Sequence, residues 1–168
     1  MKSENIFFQP RPSNGWIWVT IIGAALTAIC IGLILTLGFS GTFTFTILLT
    51  GVIGVGFLFI AACFPTMRYG IGNDKLIITY GPILRYTVNL ADIKSIRRRD
   101  LNVSLISSFR FPGLALFGVP YSEIGTVRMC ATSAGEGILV IETASKKFGI
   151  TPADESAFVA KLRKRMEK

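Results

Sequence analysis

The chain has no histidine, which excludes Ser–His and Cys–His nucleophile pairs and histidine metal sites. Cysteine is nearly as scarce. Cys30, Cys63 and Cys130 are the only three, and no CxxC spacing is present to suggest a structural zinc site or a dithiol redox pair. Charge is missing from a whole region: residues 12–67 contain no Asp, Glu, Lys or Arg. No carboxylate or basic side chain is therefore available there to mark an intramembrane ion or proton pathway. The motif "GIG" at Gly70–Gly72 is too short for a phosphate-binding loop and opens no helix. Asp92, Asp100, Glu123, Glu136 and Glu142 are scattered, and the sequence brings no two of them together. These absences predict a non-enzymatic protein with no cofactor and no metal.

Apolar residues make up 51% of the 168 positions and charged ones only 17%, too apolar a balance for an ordinary soluble domain. Two uncharged runs, 16–37 and 43–64, flank the break Gly38-Phe39-Ser40-Gly41-Thr42. Each meets the roughly 20 residues that a helix needs to cross the hydrocarbon core with its backbone groups bonded internally. A cleaved signal peptide fits less well, because the first run exceeds an h-region of about 7 to 15 residues and a second run follows at once. A transmembrane helical hairpin is predicted. Lys2, Arg11 and Arg68 flank it while its loop is uncharged, so the positive-inside rule places both termini on the cytoplasmic side of the cell membrane. Trp16 and Trp18 suit the interfacial aromatic belt. Small residues recur every fourth position at Ala24, Ala28 and Gly32 and at Thr46, Thr50 and Gly54. Such stripes either hold the hairpin together or dock the helices of another protein.

From Met67 the period changes to two. Met67, Tyr69 and Ile71 alternate with Arg68, Gly70 and Gly72, and Leu84, Tyr86, Val88 and Leu90 alternate with Arg85, Thr87 and Asn89, the pattern of half-buried strands. "GND" and "YGP" supply turns between them. A short segment around Ile93 and Ile96 follows, and further strands are predicted at 126–132, 138–143 and 147–150. "ILVIE" is apolar on both faces and reads as a central strand. The last element is an amphipathic helix capped by Thr151, with Pro152 in its first turn and an apolar stripe of Phe158, Val159, Leu162 and Met166.

The segments "YGIGNDKLIITYGPILRYTVNLADIKSI", "FPGLALFG", "CATSAGEGILVIET" and "FGITPADESAFVAKL" resemble the membrane-anchored bacterial pleckstrin-homology-like (PH-like) family, in order from Met67 to Leu162. The resemblance implies a strongly bent, seven-stranded sheet plugged at one end by the C-terminal helix, without established enzymatic activity. The expected fold is thus an α+β membrane protein. Residues 1–15 form an N-terminal cytoplasmic segment, 16–64 the two transmembrane helices, and 65–168 a PH-like bent sandwich or partly open barrel of about seven strands with a C-terminal capping helix. In one respect the sequence departs from inositol-lipid-binding relatives of this fold. Its first-hairpin turn "GIGNDK" offers Lys75 as the lone base, beside Asp74.

Pro65 predicts the end of the second span, and with strand pairing from about Met67 the sheet must sit against the headgroups. Two stretches are candidates for recognition there. Residues 68–168 carry sixteen Lys and Arg against nine Asp and Glu, an excess suited to an anionic leaflet. Within it Arg97, Arg98 and Arg99, with Lys161 and Lys164 of the last helix, are the candidate anionic-lipid contacts, although alternation forbids the three arginines from sharing one face. The second stretch, 101–125, is long for a connection and apolar, containing Phe109, Phe111, Pro112, Gly113, Leu116, Phe117, Gly118 and Tyr121. It either folds onto the sheet as core or presents a partner-binding surface. The function predicted is a binding module that positions or regulates a protein partner at the cytoplasmic membrane face, with anionic-lipid recognition as the alternative. The expected partners are membrane lipids and a membrane or membrane-associated protein, not nucleic acid.

Overall fold

The computed structural model describes residues 5–38, 41–102 and 110–167. A strand β1 (Ile6–Phe8) comes first, followed by two long helices, α1 (Gly15–Leu37) and α2 (Gly41–Ala62). A 3-10 turn at Phe64–Thr66, with Pro65 in it, ends the helical region, and strand β2 (Arg68–Ile71) starts almost at once. Then come β3 (Lys75–Tyr80), β4 (Leu84–Asn89), β5 (Ile93–Arg99), β6 (Arg110–Phe111), β7 (Leu114–Tyr121), β8 (Gly125–Ala131), β9 (Ile138–Thr143) and β10 (Lys147–Ile150). The C-terminal helix α3 (Glu155–Met166) follows them.

Both long helices are apolar on every side and long enough to cross a membrane. They meet along Val19, Gly23, Thr27 and Cys30 of α1 and Ile47, Gly51 and Gly54 of α2. Gly54 lies so close that a Cβ there would be 2.7 Å from Thr27 Oγ1, and the Cys30 thiol donates to the Ile47 carbonyl (3.3 Å). The predicted stripe of Ala24, Ala28 and Gly32 is one position out of register with this seam and stays exposed. Close backbone approach is what fixes the seam, and Gly23 opposite Gly54 permits it. The hydroxyls of Thr20, Thr27, Thr36 and Thr50 each donate to the carbonyl four residues earlier, so they are satisfied within their own helix.

The described strands form two sheets. One is four-stranded and antiparallel, in the order β1-β2-β3-β4. The other is six-stranded, in the order β5-β9-β10-β8-β7-β6, with β10 and β8 parallel. Neither closes into a barrel. Ten strands thus stand among the described residues where about seven were predicted, the additional ones being β1, β6 and β7. β1 is too short for its alternation to be read, and Pro112, Gly113, Gly118 and Pro120 punctuate the β6–β7 region as a loop would be punctuated.

The main core lies between the sheets. Tyr69, Ile71, Leu76, Ile78 and Tyr80 meet Leu114, Leu116, Leu139, Ile141 and Ile150, and α3 adds Phe158 and Leu162. The opposite face of the six-stranded sheet buries a second cluster, including Ala115, Val119, Val127, Met129, Ile138 and Val140. β9 contributes to both clusters, as a central strand must. A buried polar brace joins the sheets: the Tyr69 hydroxyl donates to the Cys130 carbonyl (2.8 Å) and accepts from the Thr151 N–H (3.3 Å). Burial raises the pKa of that phenol, and it pushes the Cys130 thiol up to about 12, so both stay protonated. The predicted cap at Thr151 is corrected here. Thr151 is buried and its hydroxyl accepts from the Thr132 N–H (2.8 Å), while Asp154, three residues on, caps α3 by accepting from the Ala157 N–H (2.9 Å).

Candidate functional site

The sheets are fastened to the base of the helical pair at several points. Residues 9–11 run alongside the strand end that precedes α3: Ala153 N–H donates to the Gln9 carbonyl (3.0 Å) and Arg11 N–H to the Thr151 carbonyl (2.7 Å). β1 pairs with β2, Phe8 opposite Tyr69, and Phe8 stacks edge-on against Phe158 (5.2 Å). At the start of α1, Ser13 Oγ donates to the Gly113 carbonyl (2.6 Å). Gly15 and Gly113 approach so closely that a Cβ on Gly15 would lie 2.1 Å from that carbonyl oxygen, and Gly113 itself has φ of 84°. Neither position admits a side chain. At the end of α2, the Tyr80 hydroxyl donates to the Ile60 carbonyl (2.6 Å), a last-turn carbonyl that also accepts from the Cys63 N–H (3.2 Å). Desolvation raises the Tyr80 pKa, keeping this donor protonated. Phe57 of α2 meets Phe111 of β6 edge to face (5.6 Å).

The predicted aromatic stretch therefore divides. Leu116 and Tyr121 are buried in β7, and the Tyr121 hydroxyl donates to the Ala134 carbonyl (2.6 Å). Phe111 is half-buried against Phe57. With Pro112 and Gly113 it lines a cleft of about 410 Å³ that also contains Thr132, Ser133, Ala134 and Gly135. Phe109 lies outside the described residues. Phe117 stands opposite Met129, which is fully buried, and regular alternation would put both on one face. Its φ of 65° instead goes with an exposed ring, followed by the half-buried Gly118. For a bulky residue that backbone conformation costs roughly 1–2 kcal/mol, and it keeps an aromatic ring at the surface.

The basic candidates divide too. In the register with β9, Arg97 lies opposite Val140, Arg98 opposite Leu139 and Arg99 opposite Ile138. Val140 and Ile138 belong to one core cluster and Leu139 to the other, so Arg98 faces away from its two neighbours. On its own side Arg98 meets α3, where Glu155 is its ion-pair partner at 3.6 Å. The cleft between them, about 890 Å³, brings Arg98 to Arg163 rather than to Lys161 or Lys164.

A residue absent from the predicted site completes this side. Arg11 and Arg98 converge on the turn before β9, where the place that a Cβ on Gly137 would occupy lies 2.9 Å from one Arg11 Nη and 3.2 Å from an Arg98 Nη. Gly137 has φ of 59°, and its N–H donates to Asp100 Oδ1 (2.6 Å). Arg11, Arg98, Asp100, Asn102, Glu136 and Gly137 are among the residues around a cleft of about 670 Å³. Arg11 is remote in sequence, separated from the β-domain by both long helices. The only signal that could have recruited it is the short apolar triplet of β1 just before it.

Residues 67–166 match a family model described as "Bacterial PH domain". No curated protein and no solved structure gives a significant match to the chain.

Proposed function

Because the chain belongs to the bacterial PH-domain family, we propose that it is a membrane-anchored binding module that positions or regulates a protein partner at the cytoplasmic membrane face. PH-like domains are typically non-catalytic binding modules, and we assign this one no reaction. In this reading residues 16–37 and 43–64 span the bilayer, and 65–168 form the PH-like domain, joined by the strand Ile6–Phe8. Several features support the spans. Only 17% of each apolar helical window is buried inside the protein, although both windows have a mean hydropathy of 2.4, so their outer faces suit an apolar solvent. The hydroxyls of Thr20, Thr27, Thr36 and Thr50 are satisfied within their helices, as lipid would demand. Lys2, Arg11 and Arg68 on one side of an uncharged hairpin favour cytoplasmic termini.

The observation that carries the functional reading is the fastening of the sheets to the helix bases through Ser13–Gly113, Tyr80–Ile60 and the returning β1. A domain held in that way presents one fixed surface at a fixed height above the headgroups. It is suited to a neighbour in or on the same membrane rather than to a target met by diffusion. Phe117 is the partner contact we favour, since an exposed aromatic ring on costly backbone is the kind of feature that binding explains. The test is to isolate the full-length protein from its native membrane in nanodiscs, cross-link it and identify what accompanies it, beside a Phe117→Asp variant. A stoichiometric protein that is lost from the folded variant is the expected result. Isolation with lipid alone would remove the protein-partner reading, and undiminished partner in the variant would remove Phe117 from the site.

A further inference from the structure

The cleft beneath Gly137 contains an electrostatic arrangement that the fastening of the domain leaves unexplained. Two guanidinium groups from distant parts of the chain are held against one turn. Arg11 is half-buried, and its side-chain hydrogen bond is to a backbone carbonyl, that of Gly137 at 3.4 Å. Among the described residues no carboxylate lies within ion-pair distance of it. The Arg98 side chain remains 62% exposed and its Glu155 partner stands 3.6 Å away, a separation and exposure at which an ion pair is weak and readily exchanged. Asp100 and Glu136 line the same cleft and offset the two cations, but Asp100 is engaged by the Gly137 N–H, and the planar donor forks of arginine suit a tetrahedral oxyanion.

We propose that Arg11 and Arg98 form a phosphate-binding site, taking a single phosphate group carried by a lipid headgroup or by a soluble phosphate ester. The walls are set before a ligand arrives. The backbone of Arg11 is bonded to Thr151, Arg98 is held in register by Leu139, Asp100 accepts from the Gly137 N–H, and Leu101 N–H donates to the Gly135 carbonyl (2.7 Å). Little backbone freedom is left to lose on binding. Glycine suits position 137 because its φ of 59° disfavours a side chain, and a Cβ there would crowd both guanidinium groups. Asp100 and Glu136 line the same cleft and repel further negative charge, so the site selects one phosphate over a polyphosphorylated headgroup. Access from a bilayer follows from the chain. Arg11 precedes the start of α1 by four residues, at most about 14 Å of extended backbone, within reach of the headgroup layer. The lipid source rests on the membrane-anchored reading; the site itself does not. Arg11 also lies outside the residues that match the family, so the site is built by this chain's N-terminal segment together with the domain.

The test follows the arginine Nε–H resonances of full-length ¹⁵N-labelled protein, starting in maltoside micelles in phosphate-free buffer. Added inorganic phosphate should move the Arg11 and Arg98 signals together and saturably. Arg98→Gln should weaken the Arg11 response by about tenfold or more, since a hydrogen bond to a charged group is lost, and Lys146→Gln, at an exposed position in the turn after β9, should leave both responses intact. Transfer to phosphatidylglycerol nanodiscs then separates the sources. Signals already at their saturated positions would identify the lipid headgroup, whereas signals that move only with inorganic phosphate would identify a soluble ester. No movement in either medium, or equal movement of all arginines, overturns the proposal and leaves the membrane-module reading to its own test. Should Arg98→Gln fail to fold, the titration of the unaltered protein decides alone.

Discussion

The helical pair and the sheets are both rich in apolar side chains, yet they dispose of them in opposite ways. In α1 and α2 the apolar residues point in every direction and most stay outside the protein, with Ile21, Leu35, Phe45 and Val52 each more than half exposed. In the strands they alternate and disappear: Leu76 and Ile78 of β3 are fully buried while Lys75 of the same strand is exposed. The difference shows what holds each part together. Burial away from water stabilises the sheets. The helical pair has too narrow a seam for that and relies on close backbone approach at Gly23 and Gly54. The two modes should therefore fail independently, and four tests by substitution examine whether they do.

The largest effect is expected at Phe158, which is fully buried and touches the rings of Phe8 and Tyr69. Phe158→Ala should cost the β-domain about 3–5 kcal/mol. Pulse proteolysis of the full-length protein in micelles would show faster cleavage between residues 68 and 167 with the helical pair intact. Equal loss of both parts would mean that they fold as one unit. The next effect belongs to the helices. A side chain at Gly54 meets Thr27, whereas one at Gly56 of the same helix meets nothing within 4 Å. Gly54→Leu should force the helices apart at an overpacking cost of about 1–3 kcal/mol, and Gly56→Leu should be tolerated. The distance between spin labels on the exposed Ala24 and Val55 would increase only in the first variant, and an increase in neither would remove the assigned seam.

The same contrast explains what the sequence made legible. A run of about 20 uncharged residues announces a long apolar helix regardless of its surroundings, and period-two alternation placed β2 and β4 within a residue or two, with the "GND" and "YGP" turns on either side of β3. The central position of "ILVIE" was also readable, because burial on both faces abolishes alternation. What stayed hidden depends on pairing across long stretches of chain. β1 has three residues and acquires its identity only from β2, which lies beyond both helices. β7 carries the Gly and Pro residues of a loop, and its strand character comes from pairing with β8. The acceptor at Thr151 was recognised but assigned to the wrong donor, since nothing local reveals that Thr132 competes for it. For the candidate site, alternation correctly separated Arg98 from Arg97 and Arg99. It could not supply Arg11, which reaches Gly137 only after the N-terminal segment has docked.

A smaller effect is expected where the two regions meet. Tyr80→Phe removes the hydroxyl that donates to the Ile60 carbonyl while retaining the buried ring. A net loss of about 0.5–1.5 kcal/mol is expected. Its location matters more than its size, because the bond secures the end of α2 to β3. Hydrogen exchange should accelerate around Cys63–Met67 without a matching change at the β8–β9–β10 centre of the larger sheet. Protection lost uniformly would place the hydroxyl in the general stability of the domain instead of at the joint.

The smallest effect gives the comparison its cleanest contrast, because residues 12–67 contain no Asp, Glu, Lys or Arg and the helical pair should be indifferent to acid. The β-domain should not. Hydrogen bonds from the Ala157 N–H, first, and the Ser156 hydroxyl hold the Asp154 carboxyl below its ordinary pKa, and its negative charge stands at the positive end of α3. A carboxyl whose pKa is depressed on folding stabilises the folded state above its unfolded pKa, and the stabilisation is lost as the pH falls through the folded value. Asp154→Ala should therefore lower the urea midpoint of the domain at neutral pH, and the gap from wild type should narrow as the solution is acidified below the ordinary aspartate range. Asp154→Asn keeps an acceptor for the Ala157 N–H but never ionises, so it should lose less at neutral pH and converge with wild type under acid. If the three proteins instead remained parallel down the acid limb, the charge at position 154 would contribute nothing to α3, and the acid sensitivity of the domain would have to come from its other carboxylates.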